Sequence, residues 1–499
     1  ARSAQLARHY LAESALLALC AAVLGIAFAS SALKLLLAFS PTWIPRLSSV
    51  QLGWESVVFT VLISLAAAGA FGLFPVVAAR RAAGESRGVG ARGSTATRKQ
   101  HAVRSTLVVV QMALALVLLA AAGLMLRSFA KLRSVDPGMK PDGVLAMELQ
   151  LPSQRYTSYE QVSMFYRELT SRLEGLPGVT QASVTAALPL AVGELGCNAV
   201  SVEDQPPAPD VNPPCVPVNT VSPGFFDAMG IRVRGRAPTW SDVEARSGAV
   251  VVSRALAERF WPGEDPIGKG IRAQGWAKPF YRVVGVTEDV RYNGLDKPPV
   301  EMVYFPLIPI EGAPLWSPER SVTLVVKSTS AHPEQLSATV RRALADIDAD
   351  IPLANIRTMN DVVAKSMART SLTMLLLAIA GGMALVLAAV GLYGVISYIV
   401  SRRTREIGIR VALGAQVGEV IRNVTLQSLR LALLGTAAGV AGALLLTRLL
   451  QSMLFEVSPA DPVVLAGVSL VLIAVALAAS YLPARRAARI DPVIALRAE

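Results

Sequence analysis

Residues 105–126 read STLVVVQMALALVLLAAAGLML, 22 consecutive positions without a charged side chain. At about 1.5 Å per residue, a helix of that length covers the roughly 30 Å of a bilayer's hydrocarbon core. Five more uncharged runs lie on either side of it, at 14–33, 56–79, 370–401, 431–447 and 462–484. The run at 431–447 is the shortest, with 17 residues, but Arg430 and Arg448 at its ends can snorkel to the headgroups. The first run is too long for the apolar core of a cleavable signal peptide and lacks a clear small-residue cleavage site. The fold class expected is therefore an α-helical integral membrane protein with six transmembrane helices. Composition agrees: 53% of residues are hydrophobic and 17% charged, against about 25% charged in an ordinary soluble protein.

The charge of +12 is unevenly placed. Residues 131–369 hold 25 basic and 27 acidic side chains, leaving 23 basic against 9 acidic for the apolar remainder. Positive charge thus accompanies the hydrophobic segments. A nucleic-acid-binding domain would carry it on a polar face, so nucleic acid is not an expected partner. Basic flanks mark cytoplasmic connections. Arg80, Arg81, Arg87, Arg92, Arg98, Lys99 and Arg104 lie between the second and third runs, and Arg402, Arg403, Arg405, Arg410 and Arg422 between the fourth and fifth. Arg485, Arg486, Arg489 and Arg497 follow the sixth, whereas residues 40–55 contain only Arg46. This bias predicts a bacterial inner-membrane protein with both termini cytoplasmic and the long stretch after the third run outside.

The sequence also repeats. A shift of 414 positions lays Arg8 on Arg422, Ser14 on Ser428, Leu17-Ala18-Leu19 on Leu431-Ala432-Leu433 and Gly25 on Gly439. Pro75 with Ala79-Arg80-Arg81-Ala82 mirrors Pro483 with Ala484-Arg485-Arg486-Ala487. The first two spans read as copies of the last two, with Ala1 falling on Ala415 inside a repeat. The expectation is the C-terminal part of a longer, duplicated protein. The domains expected are 1–83, a partial first repeat; 84–104, a basic cytoplasmic linker; 105–130, the first span of the second repeat; 131–368, an outer domain; and 369–499, three spans with a basic tail.

The segment RRTREIGIRVALGA at 402–415 resembles the signature that follows the second span of FtsX-like permeases. The ending YLPARRAARIDPVIALR at 481–497 resembles that family's C-terminal signature, here through Pro483, Arg485, Arg486, Asp491 and Pro492. In the outer stretch, VVSRALAERFWPGEDPIGK at 251–269 resembles the MacB-like periplasmic core. The paired arrangement is similar to duplicated permeases common in acidobacteria. The resemblance implies a cytoplasmic ABC-type ATPase as partner, docked by a short helix carrying Arg402, Arg403, Arg405, Glu406, Ile407, Gly408, Ile409, Arg410, Leu413 and Gly414. Physically, Ile407 with Val411 and Ile409 with Leu413 place apolar knobs one turn apart on such a helix. Its arginines also suit anchoring to anionic membrane lipid, at about 1 kcal/mol per basic residue near the surface. Two complete repeats in one chain would supply a pseudo-dimer in place of a homodimer.

The outer stretch alternates strands and helices. Strands are expected at 144–151, 179–186, 248–252, 281–286, 321–327 and near Ile356, and helices at 158–176, 255–260 and 333–349, which makes an α+β domain with helices covering one sheet face. The Pro-rich stretch 205–217 and the segment 309–318 read as exposed loops. Cys20 lies in a span as a small packing residue. Cys197 and Cys215 flank the Pro-rich stretch in an oxidising compartment, where a bridge would contribute roughly 3 kcal/mol; the alternative is two separate thiols.

Recognisable chemistry is scarce. GEDPIGKG at 263–270 approaches a phosphate-binding loop, but Gly270 stands where Ser or Thr holds magnesium and two acids face the phosphates. The three histidines, His9, His101 and His332, are scattered, and neither His-Glu-x-x-His nor Cys-x-x-Cys occurs. No nucleophile elbow is present. Catalytic, cofactor-binding and metal-binding residues are thus all expected to be none, with no cofactor. The spans lack midplane ionisable residues, which disfavours an ion-coupled carrier, while Gly391 and Gly394 suit close helix packing. Function is read as the permease subunit of an ABC-type transport or mechanotransmission system acting on an extracytoplasmic substrate or envelope protein. The alternative is a non-transporting scaffold or signalling protein whose outer domain binds an envelope partner.

Overall fold

The computed structural model describes residues 2–39, 53–85, 95–191, 195–205, 212–273, 279–312, 317–402, 417–451 and 454–487. The chain divides into two units, residues 1–126 with 373–499, and residues 127–372. The chain opens with three long helices, α1 Arg2–Phe39, α2 Trp54–Glu85 and α3 Thr95–Arg133. α1 and α2 pack against each other.

The outer unit is built on an 11-stranded sheet. In chain order its elements are β1 Val144–Gln150, α4 Tyr159–Glu174, β2 Val179–Thr185, β3 Cys197–Val202, β4 Cys215–Val221, α5 Phe225–Met229, β5 Val233–Gly235, α6 Trp240–Glu244 and β6 Ala249–Ser253. They continue with α7 Arg254–Phe260, β7 Gly270–Ala273, β8 Tyr281–Thr287, β9 Val303–Pro306, β10 Ser321–Ser328, α8 Ser337–Ala345, β11 Leu353–Thr358 and α9 Met359–Ser366. The strand order is β11-β1-β10-β2-β4-β3-β7-β8-β6-β9, with β5 added to β8 and β4 also beside β9.

Two cores divide this sheet. In the first, β1 pairs antiparallel with β10 and β11, and its alternate residues Leu145, Met147 and Leu149 pack beneath α4 and α8. Helical spacing sends Val162, Phe165, Leu169 and Leu173 of α4 into that layer, all buried. Each such side chain contributes about 1.5–3 kcal/mol of transfer free energy. Ser158 starts α4 through a capping box, its Oγ accepting from Gln161 N at 3.2 Å. In the second core, parallel β6 and β8 lie beneath α7, with Val250, Val252, Leu256, Phe260 and Val283 buried together.

Two expectations are corrected here. The helix expected at 333–349 is a 3-10 turn, Pro333–Leu336, followed by α8, which stops at Ala345. Asp348 beyond it turns to accept from Arg155 and Tyr156 instead of continuing the helix. The Pro-rich stretch at 205–217 is not all exposed loop: Cys215 to Pro217 open β4, and Val216 is fully buried. Residues 206–211 lie outside the described residues.

Three helices follow the outer unit: α10 Ala368–Arg402, α11 Val417–Leu450 and α12 Pro462–Ala487. Among the described residues, five helical stretches are long and apolar enough to cross a membrane: Leu11–Ser31, Ser105–Arg133, Thr370–Ser401, Ile421–Leu446 and Pro462–Arg486. The run expected at 56–79 lies on α2, where the apolar stretch described, Trp54–Gly69, is shorter. The sixth span expected, on α2, is thus not among the five counted over the described residues. The span on α11 starts earlier than the uncharged run at 431–447, because the helix takes in Arg422 and Arg430 on the way.

Candidate functional site

In the membrane unit α3 forms the common face. Its Val108, Met112, Ala115, Leu116 and Ala120 are buried with Ala388, Leu392 and Ile396 of α10, Ala432 and Ala443 of α11, and Leu472 and Ala476 of α12. Glycines make these contacts close. A Cβ at Gly435 would stand 2.7 Å from Met112 Cβ, one at Gly439 2.8 Å from Leu116 Cβ, and one at Gly123 2.8 Å from Val464 Cγ1. Small residues of this kind let helix backbones approach where lipid supplies no hydrophobic drive. Of the two glycines expected to serve this purpose, Gly391 abuts the Gln111 side chain, whereas Gly394 meets nothing within 4 Å.

Of the segment assigned to ATPase coupling, Arg402 closes α10. Arg403, Arg405, Glu406, Ile407, Gly408, Ile409, Arg410, Leu413 and Gly414 lie outside the described residues. The C-terminal signature is divided in the same way: Pro483, Arg485 and Arg486 belong to α12, while Asp491 and Pro492 lie outside. Arg486 Nη1 donates to Tyr393 Oη at 3.0 Å, which ties the end of α12 to α10. Tyr393 carried no signal in the sequence, since a single tyrosine in an apolar helix reads as ordinary membrane packing.

In the outer unit, Cys197 and Cys215 are joined by a disulfide with Cα atoms 5.3 Å apart. The bridge sits where β3 changes partners, pairing with β4 over Cys197 to Ala199 and with β7 over Val200 to Val202. The phosphate-loop lookalike is a turn into β7. Its Lys269 Nζ is held by Asp204 at 2.7 Å and Glu264 at 2.9 Å, hydrogen bonds that raise the lysine's pKa. Two carboxylates therefore occupy the cation that a phosphate would need. Beside this turn is a cleft of about 530 Å³ lined by Arg232, Arg234, Arg254, Glu258, Trp261 and Glu264 among others. Arg232, Arg234 and Arg254 are each engaged by an acid, Glu288, Asp265 and Asp289 respectively.

The two cores meet at a polar node absent from the sequence reading. Asn219 of β4 is 1% exposed. Its Nδ2 donates to Ala187 O at 2.9 Å and Tyr292 Oη at 3.1 Å, while its Oδ1 accepts from Ala187 N at 2.9 Å and Thr185 Oγ1 at 3.0 Å. Burial pushes the Tyr292 hydroxyl up to about 12, so the group is a neutral donor and acceptor. The ladder itself is narrow here: β2 and β4 share one residue pair, Thr185 with Val221. At the far edge of the first core, the Arg155 guanidinium bonds Asp348 and Asp350 and holds the Asp348 carboxyl below its ordinary value.

Comparison with known proteins matches these two units to two families. Residues 106–343 match the MacB-like periplasmic core domain, and residues 378–492 match the FtsX-like permease C-terminal family. Among curated proteins, the macrolide export ATP-binding/permease protein MacB of Azoarcus sp. is 31% identical over 267 residues, 51% of this chain and 38% of that protein. The Shigella sonnei protein of the same name is 29% identical over 291 residues, 56% of this chain and 43% of its own length. The chain thus spans about two fifths of the length of the curated relatives it matches. Among solved structures, the periplasmic region of MacB from Actinobacillus actinomycetemcomitans shows 14% identity over 46% of this chain and 95% of that one, with a TM-score of 0.30. Residues 106–343 and 378–492 thus join a MacB-like periplasmic core domain to an FtsX-like permease C-terminal domain in one membrane protein with an extracytoplasmic domain.

Proposed function

We propose that this chain is the permease component of an ABC-type system that couples a separate cytoplasmic ATPase to the extracytoplasmic domain, for efflux, release of an envelope substrate or control of an envelope protein. The observation that carries this reading is the order of the two family matches in one chain, a periplasmic core followed by a permease C-terminal region. The printed names of the relatives pair ATP-binding with permease functions and assign them macrolide export. The lysine of the phosphate-loop lookalike is held by carboxylates, which weighs against nucleotide binding at that turn, and ATP hydrolysis is assigned in this reading to a separate subunit. The basic connections support a cytoplasmic location for both ends of the chain, and the length of α2, Trp54–Glu85, supports a sixth span there. The segment from Arg402 to Gly414 is the proposed ATPase contact.

The test is co-purification in mild detergent with nucleotide-binding subunits from the same cell, followed by ATPase turnover with and without this chain. Stable association with altered turnover is expected. Glu406→Lys and Arg410→Glu should each abolish the change in turnover while thermal unfolding of the permease stays the same. If no ATPase associates, the reading fails. If both charge reversals leave turnover modulated, the contact lies elsewhere in the chain.

A further inference from the structure

Among the described residues, β11 and β5 are the strands of the outer sheet with a single partner each. β11 is blunted as an edge, because its ladder with β1 slips between Ala146 and Glu148 and Asn355 takes a φ of 47°. β5 lies open. It pairs antiparallel with β8, Val233 with Thr287, Arg234 with Val286 and Gly235 with Gly285. Glu288 N donates to Arg232 O at 3.2 Å and Arg236 N to Val284 O at 3.0 Å, so the even-numbered residues make the bonds to β8. A trans peptide points its N–H and C=O in opposite directions. The N–H and C=O of Val233 and Gly235 therefore face away from β8, and among the described residues they have no partner. Arg232, Arg234, Gly235 and Arg236 are exposed and Val233 is half-buried.

We propose that β5 is a docking strand for an extended acidic segment of another extracytoplasmic protein, which adds to the sheet through Val233 and Gly235. A row of open backbone groups is matched by another extended backbone, and side chains then set the specificity. Here the side chains are Arg232, Arg234 and Arg236, with 78%, 60% and 51% of their surface exposed. A second copy of the chain is a poor occupant. Antiparallel pairing of two β5 strands through Val233 and Gly235 sets odd-numbered residues against odd ones, so every register also puts an arginine opposite an arginine. Like charges directly opposite one another are destabilising, whereas an acidic strand meets the same row with opposite charge. Each guanidinium is already bonded by one acid, Glu288, Asp265 or Asp242. Arg234 gives Asp265 only its Nη2, and a guanidinium has five N–H donors, so a second carboxylate can be bonded without releasing the first. Val233 and Arg234 also line the cleft of about 530 Å³, which leaves room for the side chains of an added strand. Nothing in this proposal depends on the ATPase reading.

The test uses the full chain in detergent and a short fluorescent peptide that alternates threonine and glutamate, with binding read by anisotropy. The glutamate peptide is expected to bind. A peptide with lysine in place of glutamate, and a glutamate peptide N-methylated at alternate amides, should not. Val233→Pro removes an outward N–H and keeps the bonds to β8, as proline does on an edge strand, and should weaken binding about tenfold. Arg234→Glu changes an exposed side chain and should shift the preference from the glutamate peptide to the lysine peptide. Failure of the glutamate peptide to bind, or equal binding of its N-methylated form, would overturn the proposal. Binding unchanged in either variant would place the peptide elsewhere and overturn it as well. Self-association of the chain without peptide, lost in Val233→Pro, would overturn it in favour of a second copy.

Discussion

Replacing Asn219 with alanine tests whether the two cores of the outer unit are held together by its buried amide. The strand ladder between them is one residue pair wide, Thr185 with Val221, reinforced by Ala186 N to Thr220 O at 2.8 Å and Ser222 N to Val184 O at 2.9 Å. Asn219 adds four hydrogen bonds there. After truncation, Thr185 Oγ1 keeps Ala187 O at 3.0 Å, and Tyr292 keeps only the long 3.5 Å contact to Tyr304. Ala187 N and the Tyr292 hydroxyl lose their partner. At about 1–3 kcal/mol for each of these two buried groups left unsatisfied, the cost is about 2–6 kcal/mol. For a unit of this size that corresponds to a fall of roughly 4–24 °C in the unfolding temperature. Tyr292→Phe removes a single hydroxyl and should cost about 1 kcal/mol. The assay is thermal unfolding of the whole chain in detergent together with hydrogen exchange, read on peptides covering β2 and β4. Those peptides should lose protection before the strands β1 and β10 do. An unfolding temperature within about 2 °C of wild type, with exchange in β2 and β4 unchanged, would refute the idea that this amide holds the junction.

Three further outcomes follow from the same structure. The Cys197–Cys215 bridge closes a short loop, with a sequence separation of 18, so Cys197→Ser with Cys215→Ser should lower outer-unit stability by roughly 3 kcal/mol, seen as a lower urea midpoint that reductant reproduces in the wild type. The Arg236 guanidinium and the cap at Thr239 hold the Asp242 carboxyl well below the carboxylate range. The stability this gives is present above the unfolded pKa of about 3.9 and is lost as pH falls through the folded value, so Asp242→Asn should flatten the acid limb of an unfolding profile below about pH 4 and leave a neutral-pH loss; an unchanged acid limb would exclude this linkage. In the membrane unit, Gly439→Leu drives a side chain into Leu116 and should cost at least about 1–3 kcal/mol by overpacking, whereas Gly394→Leu, facing open space, should keep wild-type monodispersity in size-exclusion chromatography.

Much of the outer unit was legible where one element carries its own periodicity. β1 alternates Leu145, Met147 and Leu149 toward the core, and α4 repeats Val162, Phe165, Leu169 and Leu173 at helical spacing, so the local pattern states both element and buried face. β3, β4, β5, β7 and β9 escaped the same reading for a shared reason: they run from three to seven residues, and their pairing is non-local. β4 is the sharpest case, since Pro217 lies inside it and the prolines before it read as loop, yet it takes partners in β2, β3 and β9. The node at Asn219 is invisible on similar grounds. Its partners come from two segments far from it in sequence, Thr185 and Ala187 at the end of β2 and Tyr292 after β8, and an asparagine among prolines and valines announces a turn before it announces a buried junction.

The membrane unit shows the opposite limit. Uncharged length is enough to locate spans, because each residue that enters hydrocarbon must be paid for by its own side chain. Which way a span faces is another matter. An apolar helix with no polar face has no azimuth that its composition can fix, and so Gly391 and Gly394 looked equivalent while one abuts Gln111 and the other faces open space. Gly435 and Gly439 became informative only with α3 beside them.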